Sequence, residues 1–420
     1  MLAAPAETRD PNFPPNLAIA PSHARQDANN KRDDDDDDAR QDIAGFGIAG
    51  RTWEAAYLLR DYLVPAAPGT ANSPNPTQFD PPCPLFDPSD RTEPATAGRP
   101  SVKPAQRQTV IELGSGTGFL SLAIAPALRR QHKRKGTTLI MTDLENVCPL
   151  LEDNLSRAEQ RWSRRAERDL AELGPAEQSL PTSVEPHALD VLVRPLPWGD
   201  QPSLHRLVRG EQFSPDIILA SDLIYFEFLY GPLLRTLIAL TEPRKSFGAT
   251  SGVEPPTPTV IFSYKVRSLT REEPFWRAFG RWFEFDPVQV GRRRRTPQPD
   301  PPADPEPDNP AQGQEEDELV WTRYGSEMGS SSDPAFGGTT SIGDKDDELY
   351  VFVCWRHPST FGALGSVHGS GSEGPPPGHD DVLFGDVTDE ELLLGLGKAG
   401  GHSAGADRFE EILLANLEWD

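Results

Sequence analysis

Nine residues constrain this chain more than any others: Val110-Ile111-Glu112-Leu113-Gly114-Ser115-Gly116-Thr117-Gly118. A short apolar, β-branched run from Thr109 to Leu113 is delivered into a turn with glycine at every second position, and a helical pattern, Gly118 to Arg130, follows. A buried strand entering such a turn and then a helix brings free backbone N–H groups and a close approach of main chain to the carboxyl edge of a sheet. A ligand can lie against that edge.

The rest of the apolar text repeats the scheme. Thr138 to Thr142 (TLIMT), Asp216 to Ala220 (DIILA) and Thr259 to Ser263 (TVIFS) are short and nearly continuous in hydrophobicity, as strands buried on both faces are. A further strand is expected near Ser183 to Leu189. Helical patterns separate them at Pro149 to Leu173 and Phe228 to Thr241. This alternation predicts an α/β fold with a doubly wound, Rossmann-like sheet and right-handed crossovers. After a helix at Arg271 to Trp282, the segments Phe283 to Val290 and Glu348 to Trp355 have no helix between them, so an antiparallel pair should complete a seven-stranded sheet.

Composition sets the limits of the folded part. With 44 Pro and 35 Gly and only 36% hydrophobic residues, much of the 420-residue chain cannot be buried. Residues 1–41 end near the run Asp33 to Asp38 and read as a disordered acidic arm; a functional acidic arm is the alternative. Residues 42–357 are expected to hold the domain, with low-complexity insertions at 67–107, 243–257 and 292–346. Arg292 to Arg295 read either as a nuclear-import or anionic-surface signal or as solvated linker. Residues 358–420 are expected to be a mostly disordered tail with two short amphipathic helices, Val387 to Leu396 and Asp407 to Trp419, which either dock back or bind a partner.

The same numbers narrow the function classes. A net charge of −24 argues against a nucleic-acid surface, and no apolar run or leader suggests a membrane or secretion. A monomer in the cytoplasm, or the nucleus, is the expectation. Cys83, Cys148 and Cys354 are isolated, so neither a disulfide framework nor a metal site is expected.

At the glycine turn the spacing is GxGxG, with Glu112 two residues before the first glycine and no Lys-Ser/Thr after it, which argues against a phosphate loop. A carboxylate there repels pyrophosphate and can orient a cationic amino-acid moiety, which favours S-adenosylmethionine over NAD. Asp143 ends the second strand, where an acidic side chain accepts from ribose hydroxyls; its alternative is the N-cap of the next helix. Asp190 could mark the adenine edge, and Trp198, in Pro197-Trp198-Gly199, could stack on the base or simply cover core.

The strings ELGSGTG, TDLENVCPLLEDN, PLPWG and ASDLIYFE resemble the class I (seven-strand) methyltransferases, and among them the family-16 protein-lysine methyltransferases that modify translation factors and chaperones. Asp222-Leu223-Ile224-Tyr225 is a DxxY motif, and Gly50-Arg51-Thr52-Trp53-Glu54-Ala55-Ala56 and SYKVRSLTREEPFWRAFGRWFEF look most similar to fungal members that act on translation elongation factor 1-alpha. The resemblance spans residues 42–66, 108–155, 183–242, 258–290 and 347–357. It implies that Trp53 shields the cofactor, that Gly114, Ser115 and Gly116 contact its amino-acid part, Asp143 its ribose, and Trp198 the adenine surround. It implies a rim contact at Ser221, where family members usually carry Ala. Trp53 also reads as a packing aromatic on an amphipathic helix.

Methyl transfer to lysine needs a neutral amine, which costs about 4–5 kcal/mol at neutral pH for an unperturbed lysine. An aromatic channel favours the neutral form by desolvation, and carboxylate and phenol oxygens align it and accept its proton. Asp222 and Tyr225 are the expected catalytic pair, with Phe226, Phe228 and Tyr230 as candidate entry walls; Asp222 as a helix N-cap is the structural alternative. A small-molecule N-methyltransferase and a cofactor-binding module without turnover are the competing functions.

Overall fold

The computed structural model describes residues 19–22, 39–64, 78–85, 107–129, 136–172, 189–210, 213–243, 257–294, 318–326, 349–362, 387–396 and 401–415. Ten strands lie among them. After β1 (Gln78–Asp80) come β2 (Gln108–Leu113), β3 (Thr137–Asp143), β4 (Leu189–Pro195), β5 (Ile217–Ser221) and β6 (Thr259–Lys265). They are followed by β7 (Phe283–Pro287), β8 (Gln289–Arg294), β9 (Glu318–Arg323) and β10 (Leu349–Arg356).

The main sheet has the order β4-β3-β2-β5-β6-β10-β7. Strands β4, β3, β2, β5 and β6 are parallel, while β10 runs antiparallel to both β6 and β7. The strand order reverses direction at β2, whose successor β3 lies on one side and β5 on the other. This switch point opens a crevice at the carboxyl ends, and the glycine turn leaves β2 there.

Period-two alternation assigns each side chain to a layer. Along β10, Tyr350, Phe352 and Cys354 join one core, while Leu349, Val351 and Val353 join the other. The second core is covered by α2 (Glu54–Leu63), α3 (Phe119–Arg129) and, through the adjoining Met141 cluster, α4 (Cys148–Glu172). The first is covered by α6 (Glu227–Leu240) and α7 (Leu269–Gly280); a four-residue α1 (Ile43–Phe46) and a short α5 (Gln201–His205) complete the described α-helices before the tail.

Several expectations change. The third strand is Leu189–Pro195, so Asp190 is its second residue and pairs in register with Thr138 near the start of β3. Asp190 forms an ion pair with Arg107 at the amino end of the sheet, opposite the crevice, and cannot mark an adenine edge. Residues 183–188 of the expected strand lie outside the described residues, and the β-branched text of β4 begins at Val191.

Two of the expected insertions contribute strands. β1 and β9 flank β8 in a three-stranded antiparallel sheet. Phe79, Tyr62 and Tyr324 form its inner aromatic cluster, with ring centroids 5.0 to 6.4 Å apart, and the Tyr324 hydroxyl donates to the Leu58 carbonyl of α2 at 3.2 Å. The N-terminal arm is likewise not wholly detached: Ser22 bonds Gln41 and the Thr52 carbonyl, and Arg40 N–H donates to Asn154 Oδ1 at 3.1 Å. The run Asp33 to Asp38 and residues 244–256 lie outside the described residues.

The tail helices dock back. α8 (Asp389–Leu394) is opened by a reciprocal Thr388/Glu391 capping box, and its Asp389 accepts from Arg235 of α6 at 2.7 and 2.8 Å. α9 (Arg408–Ala415) inserts Phe409, whose ring stacks on Trp276 at 4.6 Å and 11°.

Candidate functional site

The glycine turn is built by backbone sterics. Gly114 and Gly116 hold φ of +58° and +54°. A Cβ on Gly114 would stand 2.7 Å from Leu223 Cδ2 and 2.9 Å from Trp198 Cζ2, and one on Gly116 would stand 3.0 Å from the Ala49 carbonyl oxygen. The turn amides, expected to be free, are largely spent within the protein. Ser115 N–H donates to the Thr142 carbonyl at 2.9 Å, Gly116 N–H to Asp143 Oδ2 at 2.8 Å, and Gly118 N–H to the Ser115 carbonyl at 2.7 Å.

Two buried carboxylates flank the turn. Glu112 Oε2 accepts from the backbone N–H of Ser121 at 3.2 Å and from its hydroxyl at 2.5 Å, so this side chain secures the first turn of α3. Burial pushes the Glu112 carboxyl up to about 7 against the Ser121 and Ser115 hydrogen bonds, with the Asp143 charge adding to the rise. Asp143 accepts from Gly116 and, through Oδ1, from Leu144 N–H at 2.7 Å; burial pushes it up to about 6, opposed by those amides. It is not the N-cap of α4, which begins five residues later at Cys148.

Beyond β5 the backbone at Asp222 adopts φ +60°, a left-handed conformation that Asp tolerates better than most residues, and its N–H is fixed by the Ser263 carbonyl at 2.8 Å. Its side chain does not cap α6: that helix starts at Glu227 behind an extended Phe226, with no side-chain cap. Both Asp222 oxygens instead meet Arg267, Oδ1 accepting from Nη1 at 2.7 Å and Oδ2 from Nη2. Burial works against the Arg267 charge, and the Asp222 carboxylate together with Glu54 and Glu272 outweighs it, raising the guanidinium further.

The loop carrying Arg267 is itself pinned. Glu272 Oε2 accepts from the Arg267 and Ser268 amides at 3.2 and 3.1 Å and from the Tyr264 hydroxyl. Tyr225 lies edge-on to Trp198, with centroids 6.3 Å apart, and to Phe226 at 4.9 Å. Burial raises its phenol well above the ordinary range, and the Asp143 and Asp222 charges add to this. Ser221 Oγ accepts from Ser263 Oγ at 3.0 Å.

The N-terminal segment closes the near wall. Trp53 precedes α2, and its Nε1 donates to the Ile48 carbonyl at 3.0 Å. The Arg51 guanidinium lies 4.3 Å from the Trp53 ring centroid and that of Arg267 5.5 Å. Thr52 Oγ1 meets Thr117 Oγ1 at 2.9 Å.

These pieces enclose one cavity of about 340 Å³. Trp53, Glu112, Gly114, Ser115, Gly116, Asp143, Trp198, Ser221, Asp222 and Tyr225, all singled out from the sequence, line it. Phe226 lines it too; Phe228, 45% exposed, stacks on Phe226 at 5.3 Å outside the lining, and Tyr230 is buried core. Arg51 and Arg267 also line it and received no task from the sequence, although both lie inside the quoted motifs. Among the described residues no group of three metal-ligating side chains occurs, and no helix is long and apolar enough to cross a membrane.

Comparison with known proteins bears on these features. Residues 31–169 match the model of a family described as lysine methyltransferase. The chain is 27% identical over 172 residues to the protein-lysine N-methyltransferase EFM6 of Saccharomyces cerevisiae, covering 39% of this chain and 51% of that protein. It thus spans about half the length of this curated relative. Among solved structures it is similar to the CurJ carbon methyltransferase (15% identity, 42% of this chain and 34% of that one, TM-score 0.22). It is also similar to the trans-methyltransferase CalH in complex with SAH (14% identity, 40% and 36%, TM-score 0.19). Scores of this size carry no functional weight.

Proposed function

We propose that this chain, whose residues 31–169 match the model of a family described as lysine methyltransferase, is an S-adenosylmethionine-dependent protein-lysine N-methyltransferase. The observation that carries this reading is the convergence of the glycine turn, Asp143, Asp222 and Tyr225 on one cavity. The residues present fit the cofactor. Carboxylates at Glu112 and Asp143 suit the ammonium of an amino-acid end and a ribose diol, and Trp198 with Leu196 and Leu144 offers an apolar wall for a base.

S-adenosylmethionine, when bound, supplies a methyl group already activated on a sulfonium, so the protein's contribution is position and surround. Tyr225 and Phe226 hold the acceptor side chain in an apolar setting that favours the neutral amine. Asp222, fixed by Arg267, aligns the amine, and with a phenol too weakly acidic to ionise Tyr225 serves as a hydrogen-bonding partner. Asp222 and Tyr225 would hold the amine toward the cofactor's methyl group, and the surplus amine proton would leave to solvent.

For the substrate we propose translation elongation factor 1-alpha, acting in the cytoplasm with the enzyme as a monomer. Support comes from the motif resemblance at Asp222 to Tyr225 and Gly50 to Ala56. The test is incubation with purified elongation factor 1-alpha and methyl-labelled cofactor, followed by peptide mapping. Label on a lysine of the factor is expected; an unlabelled factor beside labelled lysine on another protein would remove this substrate and keep the chemistry.

A further inference from the structure

Arg51 stands at the glycine-turn end of the cavity by virtue of its neighbours. The Ala49 carbonyl is packed against Gly116, and the Thr52 hydroxyl meets that of Thr117. The guanidinium lies over the Trp53 ring, itself fixed by Ile48, so its position is set in advance. Its Nη2 pairs with Glu54, whose side chain is 37% exposed, while Nε is buried without a hydrogen-bond partner among the described residues. A guanidinium has five donors, so one half-exposed carboxylate does not exhaust it.

The amino-acid end of S-adenosylmethionine carries a carboxylate, and the cavity has few places for it. Glu112, Asp143 and Asp222 repel an anion. The turn amides of Ser115, Gly116 and Gly118, the usual anion donors at such a turn, are committed to Thr142, Asp143 and Ser115. Arg267 gives both terminal nitrogens to Asp222. We propose that Arg51 anchors the carboxylate of the cofactor's amino-acid end. This assignment rests on the cofactor reading above and gives the near wall a chemical task beyond shielding.

The test compares two ligands on the full chain by calorimetry: S-adenosylhomocysteine, which has the amino-acid end, and 5′-methylthioadenosine, which lacks it. Arg51→Met should weaken S-adenosylhomocysteine about 10- to 100-fold, the value of one charge-assisted contact, and leave methylthioadenosine within about twofold. Retained methylthioadenosine binding also shows that the variant is folded. Arg51→Lys, which keeps the charge and loses the fork, should fall between. Unchanged S-adenosylhomocysteine affinity, or an equal loss for both ligands, would overturn the assignment. A wild-type chain that binds neither ligand would overturn the cofactor reading, and the role of Arg51 with it.

Discussion

Asp222 and Arg267, 45 residues apart in sequence, face each other through both carboxylate oxygens and both terminal guanidinium nitrogens, and the Asp222 side chain is 1% exposed against 31% for Arg267. The DxxY aspartate is therefore held by a cation of the protein itself. That pair ties the carboxyl ends of β5 and β6 together at the cavity wall.

Breaking it from either side should have unequal effects. Arg267→Met leaves a buried carboxylate alone and should destabilise by up to about 3–5 kcal/mol, whereas Asp222→Asn leaves a guanidinium that reaches water and should cost less. Asn also tolerates the left-handed backbone at this position, so strain does not confuse the comparison. Denaturant unfolding of both variants and of the double variant checks this; a double variant as unstable as the sum of the singles would show that the two do not interact.

Methyl transfer separates the roles of the same residues. Asp222→Asn should lower kcat by about 100-fold or more, the lower range of a positioned acid–base group, with S-adenosylhomocysteine affinity kept. An unaltered kcat would end the catalytic assignment.

Asp143→Ala should weaken S-adenosylhomocysteine by about 10- to 100-fold, because the charged acceptor proposed for ribose is lost together with the partner of the Gly116 and Leu144 amides. Asp143→Asn should fall between. Calorimetry at neutral pH is sufficient to see either.

Burial of Glu112 and Asp143 sets opposite pH trends for folding and for binding. Their carboxyls rise from 4.5 to about 7 and from 3.8 to about 6 on folding. The folded chain then holds more protons than the unfolded one in that window, so their contribution to stability falls as pH rises from about 4 to 7. The ammonium of the ligand's amino-acid end and its ribose hydroxyls need the ionised forms, so S-adenosylhomocysteine affinity should rise across the same window. Glu112→Gln should flatten both trends, read as unfolding free energy and dissociation constant against pH; a variant that tracks wild type in both would contradict the role of Glu112.

The docked tail gives a stability prediction remote from the cavity. Phe409, 4% exposed and stacked on Trp276, should cost about 3–5 kcal/mol when truncated to Ala. Urea unfolding measures it, and a change below about 0.5 kcal/mol, the ordinary surface range, would mean that α9 is not part of the core.

The legible part of this architecture is the part encoded locally. The strand-turn-helix from Val110 onward is carried by consecutive residues, and the ends of β3 and β5 fall where the apolar runs stop, which located Asp143 and Ser221. Arg267 was not legible, because its partner becomes visible only when β5 and β6 lie side by side with Ser221 opposite Ser263. The second sheet was hidden for a compositional reason. Phe79 and Tyr324 are single aromatics inside Pro-, Asp- and Ser-rich text, and their cluster with Tyr62 joins segments far apart in the chain. For the tail, amphipathic spacing gave the helices, but choosing between docking and a partner required the face of α7 that receives Phe409.

The central claim is transfer of a methyl group from S-adenosylmethionine to a lysine of a protein. The direct measurement incubates the full chain, and separately Asp222→Asn, with methyl-labelled cofactor and a protein extract of its source organism, and maps the label by mass spectrometry. The account predicts label on a lysine side chain with the wild-type chain and its loss with the variant. Label confined to small molecules, or no label with a chain that binds S-adenosylhomocysteine, would contradict it.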